Sequence, residues 1–169
     1  MAQEEKKQEE QEDKFLNPDQ FNDFMEKLKV KFQQIGWKLR PFRMANSCKK
    51  LPPKELWWRK DAGRFGFPCV AFKFDRRHIM RIYPRTDTKV ERLFDFLNGM
   101  FITKDRRECQ ICYESYCKNT KWEYCGKCFY HFCVAKCKSE LQRMHDEQGR
   151  ELIICPHCRR PLSLLPVNF

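Results

Sequence analysis

Most of the cysteines of this chain lie close together in its last third. Nine of the eleven fall between positions 109 and 158, in the order Cys109-x2-Cys112, Cys117, Cys125-x2-Cys128, Cys133, Cys137 and Cys155-x2-Cys158. A Cys-x2-Cys step lets two thiolates reach one tetrahedral ion, and zinc is the metal that such sulfur sets suit best. Three of these steps in one short stretch predict a zinc module.

The number of candidate ligands predicts two zinc ions. Each structural zinc takes four ligands, so two ions need eight. The middle of the stretch offers five candidates for four positions: Cys125, Cys128, His131, Cys133 and Cys137. Only Phe132 separates His131 from Cys133, so these two could both be ligands only by pointing at different ions. The residues alone leave this choice open.

The order of the pairs, ending in Cys155-Pro-His-Cys158, resembles the RING finger family over about residues 107–165. The resemblance implies an interleaved cross-brace, in which the first and third ligand pairs share one ion and the second and fourth share the other. It favours the all-cysteine set used by a minority of that family, with His131 as the alternative ligand. The implied ligands are Cys109, Cys112, Cys125, Cys128, Cys133, Cys137, Cys155 and Cys158. Three residues separate Cys133 from Cys137, where the family usually has two.

The resemblance also implies a function. RING fingers act as ubiquitin ligases that form no covalent intermediate and hold a ubiquitin-charged conjugating enzyme in a reactive position. Ile111 and Pro156 match the family positions that contact the conjugating enzyme. Arg159 matches the family position whose cation bridges that enzyme and ubiquitin, and the resemblance implies that it is the catalytic residue. A guanidinium has enough donors to bond both partners. Many active members carry a tryptophan in the last gap, which this chain lacks.

The zinc ligands need local elements to position them. Alternation of Trp122 and Tyr124 before the second pair predicts a hairpin with Cys125 and Cys128 at its turn. Apolar residues spaced by three and four from Val134 to Met144 predict a helix that begins at the third pair and ends near Gly149. Metal binding of this kind is itself folding energy, so a chelator should unfold this part of the chain.

The residues before the zinc module predict a small α+β domain over positions 15–103, so the overall fold class is α+β. Asn17-Pro18 has the signature of a helix start, and Phe21, Phe24, Met25, Leu28 and Phe32 follow at helical spacing up to Gly36. Residues 70–74 and 78–83 alternate like the strands of a hairpin. Thr88 and Glu91 match a capping box before a second helix ended by Asn98-Gly99. Residues 54–60 are predicted to form one or two helical turns.

Charge and composition predict a tail before the α+β domain and a linker after it. Residues 1–14 hold six acids and three lysines with nothing apolar to bury, which predicts a disordered tail. Residues 103–107 are predicted to join the basic domain to the zinc module and C-terminal tail at 104–169.

The N-terminus does not resemble a secretory signal, and no apolar run reaches the roughly 18 residues needed to cross a bilayer. We expect a soluble protein of the cytoplasm or nucleus with no membrane partner.

The net charge of +11 suggests a second class of function. Residues 38–85 hold fourteen Lys/Arg against three acids, a balance of +11, so this is where an acidic partner would be attracted. Aromatic residues are interleaved with these cations, as in proteins that stack on nucleic-acid bases. The candidate contacts are Arg40, Arg43, Lys49, Lys50, Arg59, Lys60, Arg64, Arg76 and Arg77. A nucleic-acid-binding protein, or a non-catalytic zinc adapter, is therefore the alternative to a ubiquitin ligase.

Overall fold

The structure, a computed structural model, describes residues 15–43, 50–62, 66–75, 78–103, 107–117 and 120–162. The predicted N-terminal tail, most of the predicted linker and the last residues from position 163 lie outside these ranges. Helices and strands are combined in the described part of the chain, so the predicted α+β class is confirmed. No helix among these residues has both the length and the apolar character needed to cross a membrane.

The first helix, α1, spans Pro18–Gln34 and begins as the sequence predicts. The Asn17 side chain accepts a hydrogen bond from the Gln20 backbone N–H at 2.8 Å, and the Gln20 side chain accepts one from the Asn17 N–H at 3.0 Å. This reciprocal pair satisfies two backbone donors that a helix start leaves open. All five predicted core residues of the helix, Phe21, Phe24, Met25, Leu28 and Phe32, are buried.

A four-stranded sheet lies beside α1. Its strands are β1 (Lys38–Pro41), β2 (Glu55–Ala62), β3 (Pro68–Asp75) and β4 (His78–Ile82), in the order β1-β2-β3-β4. Strand β1 is parallel to β2 and the other pairs are antiparallel, which confirms the predicted β3–β4 hairpin. The prediction of helical turns at residues 54–60 is wrong. Leu56 and Trp58 pack in the core on one side of β2, a period of two that only a strand provides.

The second helix, α2, spans Val90–Leu97, and one turn of π-helix follows at Asn98–Ile102 instead of the predicted stop. The predicted capping box is wrong, because Lys89 is the N-cap and makes no side-chain capping bond. The Thr88 hydroxyl instead accepts a hydrogen bond from the Arg85 backbone N–H at 3.0 Å, so it stabilises the turn before the helix.

The last third of the chain contains two short hairpins. Strands β5 (Trp122–Tyr124) and β6 (His131–Cys133) form the predicted hairpin around Cys125 and Cys128. Strands β7 (Arg143–His145) and β8 (Glu151–Ile153) form a second hairpin where the sequence predicted a helix. The helix prediction is wrong beyond one 3-10 turn at Lys138–Glu140. An apolar spacing this short does not distinguish a helix from a turn followed by a strand.

The apolar core of the α+β part extends into the cysteine-rich part. Phe96 of α2 is buried, and its ring centroid lies 5.3 Å from that of Tyr124, 5.4 Å from that of Phe129 and 6.1 Å from that of Trp122. The Tyr124 hydroxyl donates to the backbone carbonyl of Arg81 in β4 at 3.1 Å. The cysteine-rich part is therefore packed against α2 and β4 as well as joined to them by the chain.

Candidate metal centres

The three Cys-x2-Cys segments adopt the same backbone loop. In each segment, the N–H group of the residue directly after the second cysteine donates to the carbonyl of the first cysteine. The N–H group of the first cysteine donates to the carbonyl of the residue two positions after the second cysteine. The six distances lie between 2.8 and 2.9 Å, for Tyr113→Cys109 and Cys109→Glu114, Phe129→Cys125 and Cys125→Tyr130, and Arg159→Cys155 and Cys155→Arg160. This turn brings both thiols of a pair to the same side of the loop.

The residue after the second cysteine has a positive φ in all three loops. The values are 61° for Tyr113, 60° for Phe129 and 59° for Arg159. A side chain in this left-handed region costs about 1 kcal/mol or more, and glycine is the residue that normally occupies it. The sequence carried no signal for this conformation, because none of the three positions is a glycine or asparagine.

The eight predicted cysteines form two groups of four. The first contains Cys109, Cys112, Cys133 and Cys137, and the second contains Cys125, Cys128, Cys155 and Cys158. Within each group all sulfur atoms lie within 4.8 Å of one another. The first ligand pair along the chain thus meets the third, and the second meets the fourth. This is the interleaved order that the resemblance implies.

The sulfur geometry fits zinc. The Sγ atoms lie 3.7 Å apart in Cys109 and Cys137, 3.9 Å in Cys112 and Cys133, 3.7 Å in Cys125 and Cys158, and 3.6 Å in Cys128 and Cys155. Four sulfurs at about 2.3 Å from a tetrahedral zinc would be separated by about 3.8 Å. A disulfide would need a separation of about 2.05 Å. The donor set and its spacing therefore suit two structural zinc ions with no ligand position left open.

Backbone donors prepare the first site for a cation. The N–H groups of Ile111 and Cys133 point at Cys109 Sγ, at 3.4 and 3.3 Å. Burial raises the pKa of the Cys109 thiol, but the surrounding backbone N–H groups outweigh it and lower the pKa to about 6. Burial and hydrogen bonds to neighbouring cysteine sulfurs raise the pKa of Cys137. Four adjacent thiolates repel one another, so only a bound cation lets all four ionise together.

His131 lies outside both groups of cysteines. Its side chain is buried between the zinc module and α2, 5.9 Å from the Phe96 ring, and its Nδ1 lies 2.9 Å from the Tyr116 hydroxyl. Burial lowers the pKa of this imidazole to about 4, so the ring is neutral at neutral pH. In the structure the alternative ligand therefore packs in the shared core, and Cys133 takes the place beside Cys112.

The other described cysteines are also separate from the two groups. Cys69 is fully buried in β3, where its Sγ lies 3.0 Å from an Asp61 carboxylate oxygen. Burial and this carboxylate raise the pKa of the Cys69 thiol to about 12, which makes it a poor nucleophile. Cys117 is exposed and contacts the Thr120 hydroxyl at 3.0 Å. Cys48 lies outside the described residues.

The three residues predicted to meet a conjugating enzyme lie on the first and last cysteine loops. Ile111 is half-buried against the cysteine-rich core, whereas Pro156 and Arg159 are exposed. Tyr130 joins the two loops, because its hydroxyl donates to the Gln110 carbonyl at 3.0 Å and its ring lies 5.4 Å from that of His157. Ile111 and Pro156 each adjoin one of the residues that Tyr130 contacts, so the two loops are neighbours in the fold.

The basic residues that were predicted to bind nucleic acid and that the structure describes lie on more than one face of the sheet. Adjacent strand residues point to opposite faces, so Lys60 contacts Asn22 of α1 at 2.7 Å while Arg59 lies on the other face. Arg59 is paired there with Asp61, and Arg40 with Glu55 at 2.9 Å. Arg43 and Lys50 are exposed. The remaining candidates, Lys49, Arg64, Arg76 and Arg77, lie outside the described residues.

No protein-family model matches the chain, and no curated protein or solved structure matches it significantly.

Proposed function

We propose that this protein is a RING-type ubiquitin ligase whose two zinc ions hold a docking surface for a ubiquitin-conjugating enzyme. The observation that carries the proposal is the interleaved grouping of eight cysteines, with the first pair beside the third and the second beside the fourth. This order ties the first and last loops to the same compact core. The two loops carry the residues that the family resemblance assigns to docking.

The proposed docking surface consists of Ile111, Pro156 and Arg159. Ile111 supplies the apolar contact on the first loop and Pro156 supplies it on the last. Arg159 directly follows the last ligand and is exposed, so its guanidinium is free to donate to a conjugating enzyme and to ubiquitin together. Zinc would supply rigidity only, because a site with four sulfur ligands leaves no coordination position for water or substrate.

This chain lacks the tryptophan that many active RING fingers carry between the third and fourth pairs. The β7–β8 hairpin occupies the part of the chain where the sequence predicted a helix. Leu141 is buried in the cysteine-rich core beside it, and Ile153 packs against that core. These residues take over some of the packing that a tryptophan provides in many active members. We therefore propose a docking surface formed mainly by the two loops, and we expect a narrow choice of conjugating enzymes.

The test is transfer of ubiquitin with purified activating enzyme and a panel of charged conjugating enzymes. Wild-type protein should speed discharge of ubiquitin with at least one of them. Ile111→Ala should raise the KM for that enzyme, and Arg159→Ala should lower kcat, while both variants keep two zinc equivalents. Arg143→Ala is the matched control, since Arg143 is an exposed arginine of the same module that pairs with Glu151 at 2.9 Å. No stimulated discharge across a broad panel would refute the proposal and leave a non-catalytic zinc adapter.

A further inference from the structure

The side chain at the positive-φ position of the three cysteine loops is buried in only one case. Phe129, in the second loop, is 3% exposed and its ring stacks against those of both Phe96 and Tyr124. Burial of a phenylalanine in the core offsets the cost of its backbone conformation. The fold therefore accounts for a bulky residue at this position.

Tyr113, in the first loop, lacks that compensation. Its backbone has the same left-handed conformation, yet the side chain is 71% exposed, the most exposed of the large hydrophobic residues that the structure describes. Glycine would fit the same turn without strain and without exposing an aromatic ring to water. Strained residues whose side chains do not help the fold are concentrated at sites of function.

The position of Tyr113 relates it to the proposed docking surface. It lies two residues after Ile111 on the first loop. Tyr130 connects the first loop to the last, because its hydroxyl donates to the Gln110 carbonyl of the first loop at 3.0 Å. The Tyr130 ring in turn lies 5.4 Å from that of His157, next to Pro156. Tyr113 thus lies on the loop that Tyr130 links to the loop of Pro156 and Arg159.

We propose that Tyr113 is a further contact residue for the conjugating enzyme and helps to select which conjugating enzyme binds. This inference rests on the proposed function. An exposed, rigid aromatic ring with a hydroxyl at its tip contributes contact area and one hydrogen bond at little entropic cost. Tyr113 acts through binding of the partner, whereas Arg159 acts on the bound complex.

The experiment compares stability with ubiquitin transfer in the full zinc-loaded chain. Tyr113→Gly removes the strain and the ring together. We expect its thermal midpoint to equal that of wild type or to rise by about 2–4 °C. The KM for the charged conjugating enzyme should rise about tenfold, with kcat unchanged. A substitution that lowers transfer without lowering stability cannot act through damage to the fold.

Two further variants make the test decisive. Lys54→Gly is the control, because Lys54 is also exposed with φ 57° but belongs to the turn before β2 in the other part of the molecule. It should relieve the same strain and leave KM unchanged. Tyr113→Asn tolerates the left-handed conformation, and it should reproduce the raised KM if Tyr113→Gly proves unstable.

The two proposals fail in different ways. If wild-type protein transfers ubiquitin and the Tyr113 variants match its KM, this inference is wrong and the ligase function stands. If both Tyr113 variants lose stability and zinc, the residue is structural and the inference is again wrong. If wild-type protein transfers ubiquitin with none of the conjugating enzymes, the proposed function and this inference are rejected together.

Discussion

Removing both zinc ions should destabilise the α+β part of the molecule as well as the cysteine-rich part. Apparent binding energies of structural zinc are on the order of 10 kcal/mol per ion, which exceeds what a small module gains from packing. Once the cysteine-rich part unfolds, Trp122, Tyr124 and Phe129 leave the Phe96 ring of α2. Exposing one buried phenylalanine costs about 1.5–3 kcal/mol.

Hydrogen exchange measures this coupling, because amides of α1 lie outside the cysteine-rich part. A loss of about 1.5–3 kcal/mol should speed the exchange of the slowest α1 and β3 amides by about 10-fold to 100-fold after chelation. Adding zinc back should restore protection. The control is Phe96→Ala with zinc bound, which should lower the stability of both parts by about 3–5 kcal/mol. Full protection of α1 after loss of both ions would refute the shared core.

Three other predictions concern the metal ligands, the sheet and the alternative function. Cys133→Ser should lower the zinc content from two equivalents to one by elemental analysis, whereas Cys117→Ser should leave two. The pKa of Asp61 is held below its usual range because hydrogen bonds from Cys69 and Arg59 outweigh its burial, so its charge contributes stability above the ordinary aspartate pKa of about 3.9. Asp61→Asn should therefore cost about 1 kcal/mol at pH 7 in denaturant unfolding, and the difference should vanish as pH falls through the lowered pKa. If the protein binds nucleic acid, Arg40→Gln with Arg43→Gln should weaken salt-sensitive retention on RNA, and unchanged retention would count against that alternative.

Several elements could be predicted because their signals are local. Helix α1 begins with an Asn-Pro start and a reciprocal cap, and both depend on residues within one turn of each other. The β5–β6 hairpin followed from alternation next to a cysteine pair. The Cys-x2-Cys loops followed from the reach of two thiolates to one ion. In each case the residues that decide the structure are neighbours in the sequence.

The predictions of other elements were wrong, because contacts other than the local sequence pattern decide their structure. Residues 55–60 form a strand because β1 and β3 pair with them from both sides, and no property of Trp57 and Trp58 alone indicated that. The chain after Cys137 turns into a hairpin, although Leu141 and Met144 had helical spacing. Thr88 stabilises a turn and not the helix start, because its hydroxyl accepts a hydrogen bond from the Arg85 backbone N–H.

The sequence by itself determined that the last third of the chain offers enough ligands for two zinc ions, six of them in three Cys-x2-Cys pairs, since ligand chemistry depends on residue type and on spacing along the chain. Only the tertiary structure decided that His131 packs against Phe96 and that Tyr113 is held in a strained, exposed conformation. It also decided that Trp122 and Phe129 of the cysteine-rich part join the core of the α+β part. These features depend on which distant side chains meet, and such contacts are set by the packing of the whole molecule.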